Sequence, residues 1–194
     1  MSKKIRDIVA ASISVKEKIL HDPLMLLRLQ EVADEIVKCY SHDGKVLFCG
    51  NGGSAADAQH IAAELSGRFY FDRDPLDAEA LHVNTSYLTA VGNDYGYEQV
   101  FSRLVKARGR KGDVLVGLST SGNSPNVIKA FELANQIGMI TVGMTGENGG
   151  KMKDLSKFLF NVPSNDTPRI QESHIMLGHI ICELVEDKMF ERKE

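Results

Sequence analysis

The sequence predicts an α/β protein: a three-layer αβα sandwich on a five-stranded parallel sheet, preceded by an N-terminal helical hairpin. Three observations predict it. From residue 45 onward short apolar runs alternate with longer helical stretches, the pattern of right-handed βαβ units. The runs are nearly continuous in apolar residues, as strands buried on both faces of a parallel sheet are. Two of them pass directly into Gly- or Ser-rich turns that open helices, and ligands of doubly wound sheets sit beyond the carboxyl ends of such strands.

Residues 4–20 carry Ile5, Ile8, Val9 and Ile13 at helical spacing, and residues 24–40 carry Leu26, Leu27, Leu29, Val32, Ile36 and Val37. Between them, Asp22 suits an N-cap and Pro23 the first helical position. The pair reads as an αα-hairpin over 1–43, and the broadly apolar second helix favours an oligomer contact over a simple flap. The strands are KVLFC (45–49), EALHV (79–83), DVLVGLS (113–119), MITVGMT (139–145) and KFLFNV (157–162). Helices fit at 53–66, at 86–106 with a break at Gly92 to Gly96, and at 124–137. A short turn near 151 and a last helix at 168–190 close the chain. No linker divides it, so one domain is expected over 1–194, with 44–194 as the α/β core; the loop 67–78 is the one longish connection.

Composition narrows the function classes. A net charge of −3 without a basic stripe argues against gripping nucleic acid or an anionic membrane surface. No stretch approaches the roughly 20 apolar residues of a membrane span. Cys39, Cys49 and Cys182 are odd in number and lack CxxC spacing, which fits a reduced compartment and buried thiols better than a disulfide framework. A cytoplasmic protein is expected.

The first strand runs into Gly50-Asn51-Gly52-Gly53-Ser54 and a helix begins at once. Unpaired backbone N–H groups and the positive end of a helix dipole then meet where the strand stops, which makes an anion site. The third strand ends the same way, in Ser119-Thr120-Ser121-Gly122-Asn123-Ser124 before Pro125. Its hydroxyls and helix N-terminus offer neutral donors to phosphate oxygens without the Lys of a P-loop. Gly50, Gly52 and Ala55 also satisfy a dinucleotide fingerprint, but that motif wants a carboxylate about 20 residues on, at the end of the second strand. Here that strand ends HVNTS, with Asn84 34 residues beyond Gly50. The dinucleotide reading is set aside.

His60 and Glu64 lie four apart on the helix after the glycine loop, hence on one face, one turn apart. An imidazole and a carboxylate so spaced can grip one Zn²⁺. Gln171 and His179, both on the last helix, are eight residues apart, about 12 Å of rise and about 80° of rotation, near the limit for two side chains meeting one ion. His174, His21, His42 and His82 read as structural.

Taken together, CGNGGSAADAQHIAAELSGR, VGNDYGYEQVFSR, GDVLVGLSTSGNSPNVIKA, TGENGGKM and RIQESHIMLGH resemble the phosphoheptose isomerases of the sugar isomerase (SIS) domain family, over nearly the whole chain and in order. The resemblance implies a flavodoxin-like core, a homotetramer and a phosphosugar substrate, sedoheptulose 7-phosphate. It implies one Zn²⁺ per subunit held by His60, Glu64, Gln171 and His179, with Glu64 as base and His179 as its acid partner. It also implies substrate contacts from Asn51, Gly52, Gly53, Ser54, Glu64, Arg68, Asn93, Asp94, Ser119, Thr120, Ser121, Ser124 and Gln171. A non-catalytic SIS binding module, similar to the protein that associates with the bacterial replication initiator, is the alternative; such modules lack the carboxylate found here at position 64.

Overall fold

The computed structural model of the chain describes residues 3–190, so the first two and last four residues of the domain expected over 1–194 lie outside the described residues. Its elements are α1 (Lys3–Leu20), α2 (Pro23–Tyr40), β1 (Val46–Gly50), α3 (Gly53–Ser66), β2 (Ala78–Ala80), α4 (Thr85–Tyr95), α5 (Val100–Arg108), β3 (Val114–Leu118), α6 (Pro125–Ile137), β4 (Ile140–Thr145), β5 (Phe158–Asn161) and α7 (Thr167–Met189). The strands form one parallel sheet in the order β2-β1-β3-β4-β5, the flavodoxin-like winding.

Residues alternate across the sheet. Val46, Phe48, Val116 and Met144 face a core built with α2, α3 and α7, whereas Leu47, Cys49 and Leu115 face a second core built with α4, α5 and α6. On this second side Cys49, Gly117 and Gly143 pair in register. A Cβ at Gly117 would come within 2.3 Å of the Phe131 ring, so this glycine is what lets α6 lie close to the sheet. All three cysteines are free and buried, and burial pushes the Cys182 thiol up to about 12.

Three details differ from the sequence expectation. β2 spans Ala78–Ala80 instead of 79–83: it is an edge strand, and after Leu81 N–H bonds Phe48 O the chain turns, with Val83 N–H on Ala80 O. The helix from Thr85 runs through Gly92 to Tyr95, and the break falls at Gly96, whose φ is 88°. In the hairpin, Asp22 caps α2 by accepting from the N–H groups of Leu24 and Met25 (3.0 Å each), but much of the apolar surface of α2 is buried within the protomer. Met25, Leu29, Val32, Ala33 and Ile36 are buried in the first core. The exposed apolar surface of the hairpin runs along α1, at Ile5, Ile8, Val9, Ile13 and Leu20, and onto the first turns of α2 at Leu24, Leu26 and Leu27.

His174 has the structural role expected of it. Fully buried on α7, its Nε2–H donates to the carbonyl of Thr145 at the end of β4 (3.1 Å). Burial pushes the imidazole down to about 4, opposed only in part by that hydrogen bond. An unfolded His titrates near 6.5, so between about pH 6.5 and 4 the unfolded chain holds a proton that the folded one does not, and stability falls as the pH is lowered through that window. His174→Gln keeps a donor toward Thr145 without the titration. Urea denaturation at pH 7 and pH 4.5 should show wild type losing about 2–3 kcal/mol more than the variant. Equal losses would contradict this account of His174.

Candidate active site

The site begins where two neighbouring strands end. β1 and β3 pair with Gly50 opposite Leu118, so the glycine loop and the serine loop leave the sheet side by side. At Gly52 the backbone takes φ 57° and ψ −124°, a combination open only to glycine, and α3 starts at the next residue. In the serine loop Ser119 is buried and its hydroxyl lies 2.8 Å from that of Ser124 and 3.5 Å from that of Ser121. Ser121 Oγ accepts from Asn123 N–H (3.1 Å). The segment after β4 holds the loop from outside: Gly146 N–H bonds Thr120 O, Lys151 N–H bonds Asn123 Oδ1, and a Cβ at Gly122 would collide with Gly149 O at 2.1 Å. A cavity of about 310 Å³ opens here, with Thr120, Ser121 and Asn123 on its wall.

A reciprocal amide pair ties the two loops together. Asn51 Nδ2 donates to Asn126 Oδ1 and Asn126 Nδ2 donates to Asn51 Oδ1, both at 2.9 Å. Asn126 Oδ1 also accepts Val127 N–H. Asn126 was not among the expected site residues, and the side chain of Asn51 is committed to it rather than pointing freely at a ligand. The available signal was a polar side chain directly after a Pro that opens a helix.

Farther along α3 the titratable groups converge. His60 Nε2 lies 2.9 Å from Glu64 Oε1 and 3.4 Å from His179 Nε2, and ligand atoms of all three residues fall within 4.8 Å of one another. The His60 and His179 rings meet edge to face at 5.1 Å, and Phe69 stands 5.8 Å from His179. His60 Nε2 thus lies beside both a carboxylate oxygen and a second imidazole nitrogen, three potential ligand atoms in one place. Two imidazole nitrogens and a carboxylate are a donor set suited to Zn²⁺. Asp57, one turn before His60, was not singled out from the sequence although its spacing places it on the same face. Burial raises its carboxyl pKa, with His60 opposing.

The remaining expected residues are distributed as follows. Gln171 sits beside the glycine loop, where a Cβ at Gly53 would come within 2.6 Å of its Nε2; its amide lies at the start of α3, about two turns from His60. Ser54 is buried in the first turn of α3. Arg68 is exposed just beyond the end of α3. Asn93 and Asp94 lie exposed on the last turn of α4, where Asn93 Nδ2 donates to Asp94 Oδ1 (2.9 Å). Arg169, on α7, donates to Ile8 O (2.9 Å) and Glu172 (2.6 Å), joining α7 to α1.

Comparison with known proteins gives this geometry a context. The model of the SIS domain matches residues 23–146. The chain is 53% identical over 193 residues to a phosphoheptose isomerase of Aneurinibacillus thermoaerophilus, covering 100% of this chain and 98% of that one. It is 50% identical to phosphoheptose isomerase 2 of Campylobacter jejuni, over 98% of this chain and 94% of the relative. The solved phosphoheptose isomerase of Neisseria gonorrhoeae superposes with a TM-score of 0.89 at 45% identity, covering 95% and 98% of the two chains. With both loops, the parallel sheet and near full-length identity agreeing, the chain belongs to the phosphoheptose isomerases of the SIS domain family.

Proposed function

We infer that the chain converts D-sedoheptulose 7-phosphate to D-glycero-D-manno-heptose 7-phosphate through an enediol, the first step toward a nucleotide-activated heptose for surface polysaccharide. The observation that carries the reading is the convergence, within 4.8 Å, of His179 on α7 with His60 and Glu64 on α3, the helix that starts at the glycine loop. A binding module has no use for that carboxylate, and the relatives are named as isomerases. The sugar phosphate is read as held by the serine loop and the N-terminus of α3, with hydroxyl contacts from the glycine loop, Arg68, Asn93, Asp94 and Gln171.

Ketose-to-aldose conversion moves one proton from C1 to C2 and shifts the carbonyl from C2 to C1. In this reading Glu64 takes the C1 proton and returns it to C2, while His179 protonates the C2 oxygen and accepts the proton released from the C1 hydroxyl. His60, Glu64 and His179 are the residues that would hold one Zn²⁺; Gln171, whose amide lies beside the glycine loop about two turns of α3 away, is kept as a sugar contact. Such an ion supplies Lewis-acid stabilisation of the developing oxyanion. In this reading Glu64 serves as ligand and as base in different states of the cycle.

The exposed stripe of Ile5, Ile8, Val9 and Ile13 on α1 is an apolar surface that soluble proteins cover with a partner. We assign it to further copies of this chain in a cytoplasmic homotetramer. Light scattering should give four times the chain mass of 21.4 kDa, and a monomer would sink the assignment.

Purified protein incubated with sedoheptulose 7-phosphate should form the aldose, and Glu64→Gln should cut turnover at least a hundredfold. A general base typically contributes about 10² to 10⁴ in rate, and the isosteric amide leaves α3 intact. In D₂O the variant should also lose solvent exchange into the sugar by NMR, and wild-type exchange would show that another group is the base. Replacing Ser119 and Ser121 with Ala should act on the other half of the site, weakening phosphosugar binding by about 1–3 kcal/mol per lost charge-assisted bond with little change in thermal stability. Unchanged affinity in calorimetry would remove the loop from the phosphate site.

A further inference from the structure

Beyond the converging residues, one buried ion pair stands out by where its hydrogen bonds go. Arg73, in the loop between α3 and β2, and Glu186, on α7, meet at 2.9 Å with 2% of each side chain exposed. Glu186 uses both oxygens on this loop: Oε1 accepts from Phe69 N–H (3.0 Å) and Arg73 Nε (2.9 Å), and Oε2 from Tyr70 N–H (2.8 Å). Burial alone would raise its pKa, but the Tyr70 and Phe69 N–H groups and the Arg73 guanidinium outweigh burial and hold it below the usual Glu range. It is therefore a carboxylate.

Arg73 turns its other nitrogens to the end of α3. Its guanidinium donates to Glu64 O (2.9 Å), Leu65 O (2.8 Å), Gly67 O (3.2 Å) and Asp74 O (3.0 Å). Helices end with carbonyls that lack intrahelical partners, and here one side chain satisfies two of them, including that of Glu64. Its Cζ also lies 5.3 Å over the Phe190 ring. The pair therefore holds the main chain of one member of the cluster, Glu64, and the main chain of Phe69, whose ring stands against another, His179. It does so by joining α3 to α7, the two helices that contribute the cluster.

We propose that Arg73 and Glu186 are a positioning pair: they fix the end of α3 against α7 so that Glu64, His60 and His179 are preset at metal-binding and proton-transfer distance before any ligand arrives. The proposal rests on the reading of that cluster as the metal and catalytic centre. Groups that orient ligands in this indirect way typically change metal affinity by about 10- to 100-fold when altered. A planar fork with four carbonyl acceptors cannot be replaced by a single ammonium. A Gln at 186 would set an NH₂ group against the N–H donors it now accepts from.

The test compares wild type with Arg73→Lys, Glu186→Gln and the charge-keeping Glu186→Asp. Zinc affinity is measured by competition with a chromogenic chelator, the visible spectrum is recorded after loading with Co²⁺, and kcat and KM are determined. Arg73→Lys and Glu186→Gln should bind zinc about 10- to 100-fold more weakly, with an altered Co²⁺ spectrum and kcat reduced more than KM is raised. Glu186→Asp, the variant least at risk of unfolding, should fall between them and wild type. If Glu186→Asp and whichever other variants fold lose thermal stability yet keep wild-type zinc affinity and Co²⁺ spectrum, the pair is only a structural tie and the proposal is overturned. Failure of wild type to bind zinc, or equal binding after His60→Ala, overturns the metal reading of the cluster itself and this proposal with it.

Discussion

The site depends on two helices running side by side in the same direction. Along α3 and α7 successive partners climb together: Gly53 with Gln171, Ile61 with Gly178, His60 with His179, and just past the end of α3 Phe69 and Tyr70 with Glu186. The closeness comes from residues without side chains at the crossing. A Cβ at Gly178 would lie 2.4 Å from Ile61 Cδ1, and one at Gly53 2.6 Å from Gln171 Nε2. A substituent at either place has to push a neighbour aside, and near Gly178 that neighbour is a buried Ile with little room to move. Helices held this close bring imidazoles from different elements to 3.4 Å.

This packing also explains the division of labour between Gln171 and His179. Eight residues along α7 carry the chain from the glycine loop to the His60 and Glu64 pair, so one helix touches both ends of the candidate site. The glycine and serine loops have their own fastening, the Asn51 and Asn126 amide pair. Because that pair uses neutral groups that satisfy one another, it joins the two loops without adding charge between them. On the face of the sheet that carries α6, Gly117 lets that helix lie close to the strands, with Phe131 and Val127 against it.

Much of the frame was legible in the sequence because it follows from local chemistry. The continuous apolar runs located all five strands, the glycine and serine turns located both loops, and Asp22-Pro23 located the start of α2. The spacing of His60 and Glu64 placed them on one face. What was not legible depends on partners distant in the chain. Asn126 meets Asn51 across 75 residues, and Arg73 meets Glu186 across 113; no local pattern marks either. The hairpin shows the same limit: the apolar character of α2 is visible in sequence, but which of its residues pack on α7 and the sheet and which stay exposed beside the stripe on α1 is decided by tertiary packing.

The account turns on whether the meeting point of α3 and α7 is a metal centre. Zinc-loaded protein should be crystallised and the ion located by anomalous diffraction at the zinc absorption edge. The account predicts a peak bonded to His60, Glu64 and His179 at about 2.0–2.2 Å. A peak at other residues, or none in protein that has been offered zinc, would contradict it.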